Sequence, residues 1–82
     1  MNNEYNYKVT VCPFCKQGLV EIVKEIYTNE LFLCCNECEI EWSEPREVLN
    51  ETMGTRNKYG RITEPTYDEV SKKGWEKYII DK

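Results

Sequence analysis

The chain has 82 residues, which is enough for one small domain but not for a large buried core. It carries 15 Asp and Glu residues against 11 Lys and Arg residues, and its formal net charge is −4. This balance disfavours general nucleic-acid binding, whose affinity comes largely from Lys and Arg on phosphates. It favours a protein partner with a basic surface. Domains this small often need a metal ion or disulfides for stability.

The five cysteines are an odd number, so a fully paired set of disulfides would leave one thiol over. No segment is apolar and long enough to suggest a signal peptide or a membrane span. We therefore predict a single cytoplasmic domain over residues 1–82, with reduced thiols and no membrane partner. Under those conditions closely spaced cysteine pairs more often bind metal or do redox chemistry.

Strands are predicted over most of the first half of the chain. Residues 5–11 alternate in the way typical of a strand. Residues 19–27 fit a helical stripe, but their β-branched Val and Ile favour a strand. Residues 31–34 form a clear short apolar strand. We predict that the last two segments pair as a hairpin, because this returns the chain directly, and that residues 39–42 form a further strand.

Two short helices are predicted in the second half. Ser43 is placed to cap the first helix, with Pro45 in its first turn. Val48 and Leu49 would form its buried side. Residues 50–62 contain several helix and strand breakers and predict a loop.

The second predicted helix begins with a capping box, because Thr66 and Glu69 have the required spacing. Gly74 is placed to end it. We expect the aromatic residues near this helix to fill the core between strands and helix, or to form a partner-binding hot spot. They are Trp42, Tyr67, Trp75 and Tyr78.

Two Cys-x-x-Cys pairs carry the strongest chemical signal: Cys12 with Cys15, and Cys35 with Cys38. Nineteen residues separate the pairs, which is within the range typical of zinc sites with this pattern. Two intervening residues let both sulfurs point inward from one tight turn, and four thiolates suit Zn²⁺. Four unligated buried cysteines are the alternative, but they would not explain the repeated spacing. We predict one structural zinc ion on these four thiolates.

Residues 12–42 resemble the zinc-ribbon superfamily in their two cysteine turns and the strand-rich segment between them. The resemblance implies one structural Zn²⁺ on the four paired cysteines, and two cysteine turns packed across a small sheet. We therefore expect a small α+β metal-stabilised domain, with zinc-ribbon β-hairpins over residues 5–42 and a C-terminal helical extension over residues 43–82 packed on them. Lys16 and Glu39 follow the two pairs, where many such turns carry a glycine at positive φ.

Cys34 is the fifth cysteine and could replace Cys35 as a ligand, with a spacing of three residues before Cys38. The two-residue spacing matches the first pair, so we predict Cys35 as the ligand. Strand alternation then points Cys34 away from the metal, where we expect a small core residue. No neighbouring positive charge or helix start predicts a reactive thiol there.

A site with four protein ligands leaves no position on the metal for water or substrate, and the chain has no histidine. We therefore predict a protein that is not an enzyme. Two redox alternatives remain. Cys12 and Cys15, with the helical-looking segment after them, resemble the active-site start of glutaredoxins, although this leaves the second pair unexplained. Four thiolates could also hold iron as in rubredoxins, which usually have glycine after each pair.

The segment 56–61 groups Arg56, Lys58, Tyr59 and Arg61 in a loop that contains a glycine. These residues could contact a partner or a phosphate, or stack on a base, whereas most charge runs are simply solvated. Our functional prediction is a zinc-binding protein-interaction module or inhibitor, with immunity proteins against toxins as a general analogy. A nucleic-acid-associated zinc ribbon that uses this loop is the alternative.

Overall fold

A five-stranded antiparallel sheet forms the centre of the computed structural model, which describes residues 6–80. The elements in chain order are β1 (Lys8–Val11), β2 (Leu19–Glu25), β3 (Leu31–Cys35), β4 (Glu41–Trp42), α1 (Pro45–Leu49), β5 (Ile62–Thr63), α2 (Tyr67–Lys72) and a 3₁₀ turn (Glu76–Tyr78). The strands lie in the order β1, β2, β3 and β4, and β5 pairs with the last two residues of β2. The predicted combination of an antiparallel sheet and two short helices is therefore present.

The ambiguous segment after the first cysteine pair is a strand, as predicted. It pairs with β3 in a register that aligns Val20 with Cys35 and Ile22 with Leu33. The β-branched Val20, Ile22 and Val23 are all fully buried. A helix would bury one stripe only, whereas this strand is covered on both faces, so both sets of alternate side chains leave water.

One face of the sheet, which we call the core face, carries the apolar core. Each fully buried aliphatic or aromatic side chain there contributes about 1.5–3 kcal/mol of transfer free energy. The C-terminal elements supply part of this core, so they pack on the strands as expected. The buried members are Val9, Val20, Ile22, Leu31, Leu33, Cys35 and Trp42 from the strands and Val48, Val70 and Trp75 from the C-terminal elements.

The opposite face carries a row of polar residues that are direct cross-strand neighbours: Glu21 on β2, Cys34 on β3 and Glu41 on β4. Residues 55–63, which we call the strap, start at a backbone bridge between Thr55 and Glu41, pass over this face and end in β5, which pairs with β2. The ring of Tyr59 stacks on Phe32 with centroids 3.9 Å apart and planes 9° apart. The strap therefore provides an apolar cover for a sheet face that is otherwise largely polar.

We call this side of the sheet the strap face. Two of its carboxylates hold the strap by accepting hydrogen bonds from the strap's backbone. Glu41 accepts a hydrogen bond from the backbone N–H of Lys58 at 3.0 Å, and Glu25 accepts one from the backbone N–H of Gly60 at 2.6 Å. The backbone N–H of Ile26 also donates to the carbonyl of Arg61. The predicted loop is thus irregular in structure but tied down at several points.

Some local predictions about the second half are wrong. Glu44, not Ser43, is the N-cap residue of α1, and it makes no side-chain cap hydrogen bond. Leu49 is 51% exposed, because neighbouring helical residues point about 100° apart and the buried side of α1 is formed by Pro45 and Val48. Tyr67 is also exposed, so it does not fill the core, and its other expected role in a partner-binding hot spot stays a prediction.

The predictions for α2 are confirmed. Thr66 and Glu69 form the expected capping box, in which each side chain accepts a hydrogen bond from the other's backbone N–H. Gly74 has φ +77° just after the C-cap residue, a conformation that glycine adopts without a Cβ penalty.

Candidate metal centre

The two cysteine turns lie at the same end of the sheet, because the first joins β1 to β2 and the second joins β3 to β4. In each turn the carbonyl of the first cysteine accepts a hydrogen bond from the backbone four residues on, Lys16 N to Cys12 O and Glu39 N to Cys35 O. Lys16 has φ 62° and Glu39 has φ 65°. Both turns thus adopt the left-handed geometry without glycine, at a cost of roughly 1–2 kcal/mol each.

The structure brings together the four sulfur atoms that the sequence pattern predicts. The Sγ atoms of Cys12, Cys15, Cys35 and Cys38 all lie within 4.8 Å of one another. The Sγ–Sγ distance is 3.7 Å between Cys12 and Cys38 and 3.6 Å between Cys15 and Cys35. A regular tetrahedron with Zn–S bonds of about 2.3 Å has S–S edges of about 3.8 Å. The four thiols could therefore hold one tetrahedrally coordinated metal ion.

Backbone N–H groups surround these sulfur atoms. Cys12 Sγ accepts hydrogen bonds from the N–H groups of Phe14 at 3.4 Å and Cys15 at 3.5 Å. The second turn repeats this arrangement, because Cys35 Sγ also accepts from the next residues of its own turn. Its donors are Glu37 N and Cys38 N, both at 3.4 Å. These donors favour the thiolate, which is the form that binds metal.

The thiols differ in how readily they lose a proton. Hydrogen bonds from the backbone N–H groups of Gln17 and Gly18 lower the pKa of Cys15 to about 6. Burial raises the pKa of Cys35 to about 12 and also raises that of Cys38. A metal ion must displace protons from the buried thiols, so its affinity falls as the pH falls.

The cysteine cluster is continuous with the apolar core. Cys12 and Cys35 are fully buried members of the core, whereas Cys15 and Cys38 are half-buried at its edge. The ring of Phe14, inside the first turn, stacks against Trp42 at a centroid distance of 6.3 Å. Folding of the core and assembly of the four thiols therefore depend on each other.

Cys34 lies outside the cluster, on the strap face, as the alternation of β3 predicts. The expectation that it fills the core is wrong, because it is half-buried between Glu21 and Glu41. Burial and the neighbouring Glu41 raise the pKa of Cys34 to about 12. A thiol with this pKa remains protonated at neutral pH and is a poor nucleophile.

The predicted contact residues of the strap do not join the cysteine cluster, but some of them share a groove with its second turn. Arg56, Lys58 and Arg61 are exposed, whereas Tyr59 is half-buried against Phe32. Burial raises the pKa of the Tyr59 hydroxyl. Arg56 and Arg61 line an open groove of about 760 Å³, whose lining also includes Glu21, Cys34, Glu41 and the second cysteine turn.

The sequence prediction missed two polar residues beside the cluster, Glu21 and Asn36. The Glu21 side chain is almost fully buried and accepts a hydrogen bond from Asn36 Nδ2 at 3.3 Å. Asn36 Oδ1 in turn accepts from the backbone N–H of Leu19 at 3.0 Å. An acidic residue inside the apolar run Leu19–Val23 was the available signal, because Glu is almost never buried without a partner.

No protein-family model, curated protein or solved structure matches the chain. None of the helices within residues 6–80 combines the length and the apolar character that crossing a membrane requires.

Proposed function

We propose that this chain is a non-enzymatic, zinc-ribbon-like protein in which one zinc ion stabilises a surface that binds another protein. The observation that carries the proposal is the tetrahedral spacing of four thiols from two separate hairpins. The donor set suits zinc, because soft thiolates select zinc or iron and a closed four-sulfur site is the usual structural zinc site. When bound, the ion would link the two hairpins and add its binding free energy to folding.

A structural role is supported by the chemistry around the cluster. Four sulfur ligands leave no position for water or substrate on the metal. The chain has no histidine, and the remaining thiol, Cys34, is on the other side of the sheet with a raised pKa. With the four cluster thiols bound to a metal, Cys34 would be the one unligated thiol among residues 6–80, and its raised pKa makes it a poor nucleophile.

The distribution of charge supports a protein partner with a basic surface. Residues 1–42 contain seven Glu and three Lys, whereas residues 43–82 are balanced. Glu37 and Glu39 are exposed on the second cysteine turn, next to the cluster. An acidic surface of this kind accelerates encounter with a basic partner more than it sets affinity. An inhibitor of the immunity type is one form that such a protein could take.

The exposed cations of the strap favour a nucleic-acid partner as the second candidate. Arg56, Lys58 and Arg61 are free to reach phosphates, but one face of the Tyr59 ring already stacks on Phe32. Retardation of RNA and DNA across a salt series tests this candidate. If binding weakens steeply with salt and is lost in an Arg56→Ala, Arg61→Ala variant, the partner is a nucleic acid and the proposed protein partner is wrong.

Metal analysis tests the metal part of the proposal. Protein purified without added metal should contain one zinc per chain, and its four cluster thiols should become open to alkylation only after a chelator removes the metal, whereas Cys34 should react slowly in both states. If the protein instead contains one iron per chain and shows a visible absorption band, the assignment to zinc is wrong and the site holds a redox-active metal. Reversible formation of a Cys12–Cys15 disulfide in the native protein would instead support the dithiol redox alternative.

Cross-linking capture from a native lysate across a salt series tests the partner. We expect a protein whose capture weakens as salt screens the acidic surface. Capture should weaken further when Glu39 is changed to Gln, but not when the exposed Asp68 is changed to Asn as a matched control. Equal capture by all three proteins would contradict the charge argument.

A further inference from the structure

We infer that Asn36 is a positioning residue of the metal centre, which holds the second cysteine turn against the first through a hydrogen-bonded link to the buried Glu21. The inference rests on the proposed metal site. Asn36 lies directly after Cys35, but its side chain is directed away from the sulfurs, to the backbone of β2.

Asn36 joins the two turns by two hydrogen bonds to one residue. Its backbone N–H donates to the carbonyl of Leu19 at 3.0 Å, and its Oδ1 accepts from the N–H of Leu19 at 3.0 Å. Leu19 directly follows Gly18, whose N–H donates to Cys15 Sγ at 3.4 Å. Asn36 therefore fixes the backbone that carries a donor to a sulfur of the opposite turn.

The buried Glu21 sets the orientation of the Asn36 amide. Asn36 Nδ2 donates to Glu21 Oε2 at 3.3 Å, and the Lys8 ammonium lies 3.9 Å from the same oxygen. A flipped amide would place its oxygen against the carboxylate and its N–H₂ against the N–H of Leu19. Because both contacts would then be repulsive, only one amide orientation is stable.

The two cysteine turns are in close contact at Gly18. A Cβ atom on Gly18 would lie 2.7 Å from Cys35 Sγ and 2.7 Å from the Glu37 side chain. A small shift of the second turn relative to the first therefore displaces Cys35 Sγ from the other three sulfur atoms. Groups that orient metal ligands in this way typically change metal affinity by about 10- to 100-fold when they are removed.

The test moves the negative charge of Glu21 to position 36 in two steps. Asn36→Asp keeps the acceptor for Leu19 but places a second carboxylate against Glu21, so we expect roughly 10- to 100-fold weaker zinc binding in chelator competition. The cobalt-substituted variant should show shifted or weakened visible bands, because the sulfur tetrahedron is distorted. In the double variant Glu21→Gln, Asn36→Asp the new Gln amide can donate to the new carboxylate at unchanged net charge. It should recover most of the zinc affinity and the cobalt spectrum.

Asn29→Asp is the matched control, because the same isosteric change adds the same charge on an exposed side chain in the turn between β2 and β3, away from the cysteine turns. We expect its zinc affinity to stay near that of the original chain. Three outcomes would each overturn the inference: Asn36→Asp binding zinc normally, Asn29→Asp losing as much affinity as Asn36→Asp, or the double variant showing no recovery. A chain that binds no metal before any substitution would overturn the proposed function as well, so the two failures are distinguishable.

Discussion

The core face and the strap face of the sheet use the same three strands in opposite ways. On the core face, apolar side chains run without interruption into the cysteine cluster. On the strap face, the row of Glu21, Cys34 and Glu41 is covered by a segment that is paired to the sheet at its two ends and held between them by a ring stack and carboxylate hydrogen bonds. The first face derives its stability from packing and its candidate metal, and the second from polar contacts that tie down an irregular chain.

Cys34 and Cys35 show how sharply the two faces differ. Adjacent residues of a strand point to opposite faces, so one thiol joins the cluster and the other lies between two carboxylates. The identity of the residue type therefore says little about its role here. Its position in the strand alternation decides the role.

The largest expected effect separates these two thiols. Cys35→Ser should abolish stoichiometric zinc binding and with it most of the stability, because structural zinc contributes about 10–16 kcal/mol of binding free energy in zinc-finger peptides. Cys34→Ser should keep its zinc and change the free energy of unfolding by less than about 1 kcal/mol. Zinc content and urea unfolding measure both. Equal losses in the two variants would contradict the assignment of the two faces.

A second pair of variants compares the room available at each face. An added Cβ would lie 2.7 Å from Cys35 Sγ at Gly18 and 2.7 Å from the Glu25 carboxylate at Gly60. The sulfur is fixed in the cluster, so Gly18→Ala should cost about 1–3 kcal/mol as overpacking and weaken zinc binding. The Glu25 carboxylate is the flexible end of a side chain and can move aside. Gly60→Ala should therefore leave zinc affinity unchanged, and a comparable loss of zinc would contradict this contrast.

A third variant tests how the strap is held. Tyr59→Ala removes the ring stack on Phe32, and such pairs contribute about 0.5–1.5 kcal/mol beyond their burial. We expect faster tryptic cleavage at Arg56, Lys58 and Arg61, with zinc content unchanged. Tyr59→Phe keeps the stack and is the matched control. Cleavage rates that are the same in all three proteins would show that the strap does not depend on this ring.

The sequence was sufficient to predict features that depend on residues close together in the chain. The repeated cysteine spacing predicted the four-thiol cluster, and the β-branched residues of 19–27 predicted a strand against a competing helical stripe, which the structure confirms over Leu19–Glu25. The spacing of Thr66 and Glu69 predicted the start of α2. In each case the deciding interactions span a few residues or repeat a local pattern.

Features that depend on distant contacts could not be predicted in the same way. The hydrogen bond from Gly60 to Glu25 joins residues that are 35 positions apart in the chain. The sequence around Glu25 does not distinguish it from a solvent-exposed glutamate. Asn36 also has no local signal, because its role depends on the register that places it beside Leu19. At Lys16 and Glu39 the local sequence is misleading instead of silent. Both residues adopt a positive φ, a conformation that normally favours glycine, because the cysteine turns require it.

The smallest expected effect is an acid-dependent loosening of the strap. Hydrogen bonds from Thr28 Oγ1 and the Gly60 N–H lower the pKa of Glu25 below its ordinary value of 4.5. Because the folded-state pKa is the lower one, the stabilisation is fully present above about pH 4.5 and is lost as the pH falls through the lowered value. Glu25→Gln removes this charge, so its Gly60 amide should exchange faster than in the original chain at pH 6, with the difference shrinking as the pH falls.

Amide exchange at Gly60, measured by NMR on zinc-loaded protein, separates this local loosening from loss of the metal in acid. Glu30→Gln is the matched control, because it neutralises an exposed carboxylate near the same turn whose side chain makes no described hydrogen bond to the strap within residues 6–80. It should leave Gly60 exchange unchanged. A difference between Glu25→Gln and the original chain that stays constant as the pH falls through the Glu25 titration would mean that the strap is held by shape, as the core face is, and not by this charge.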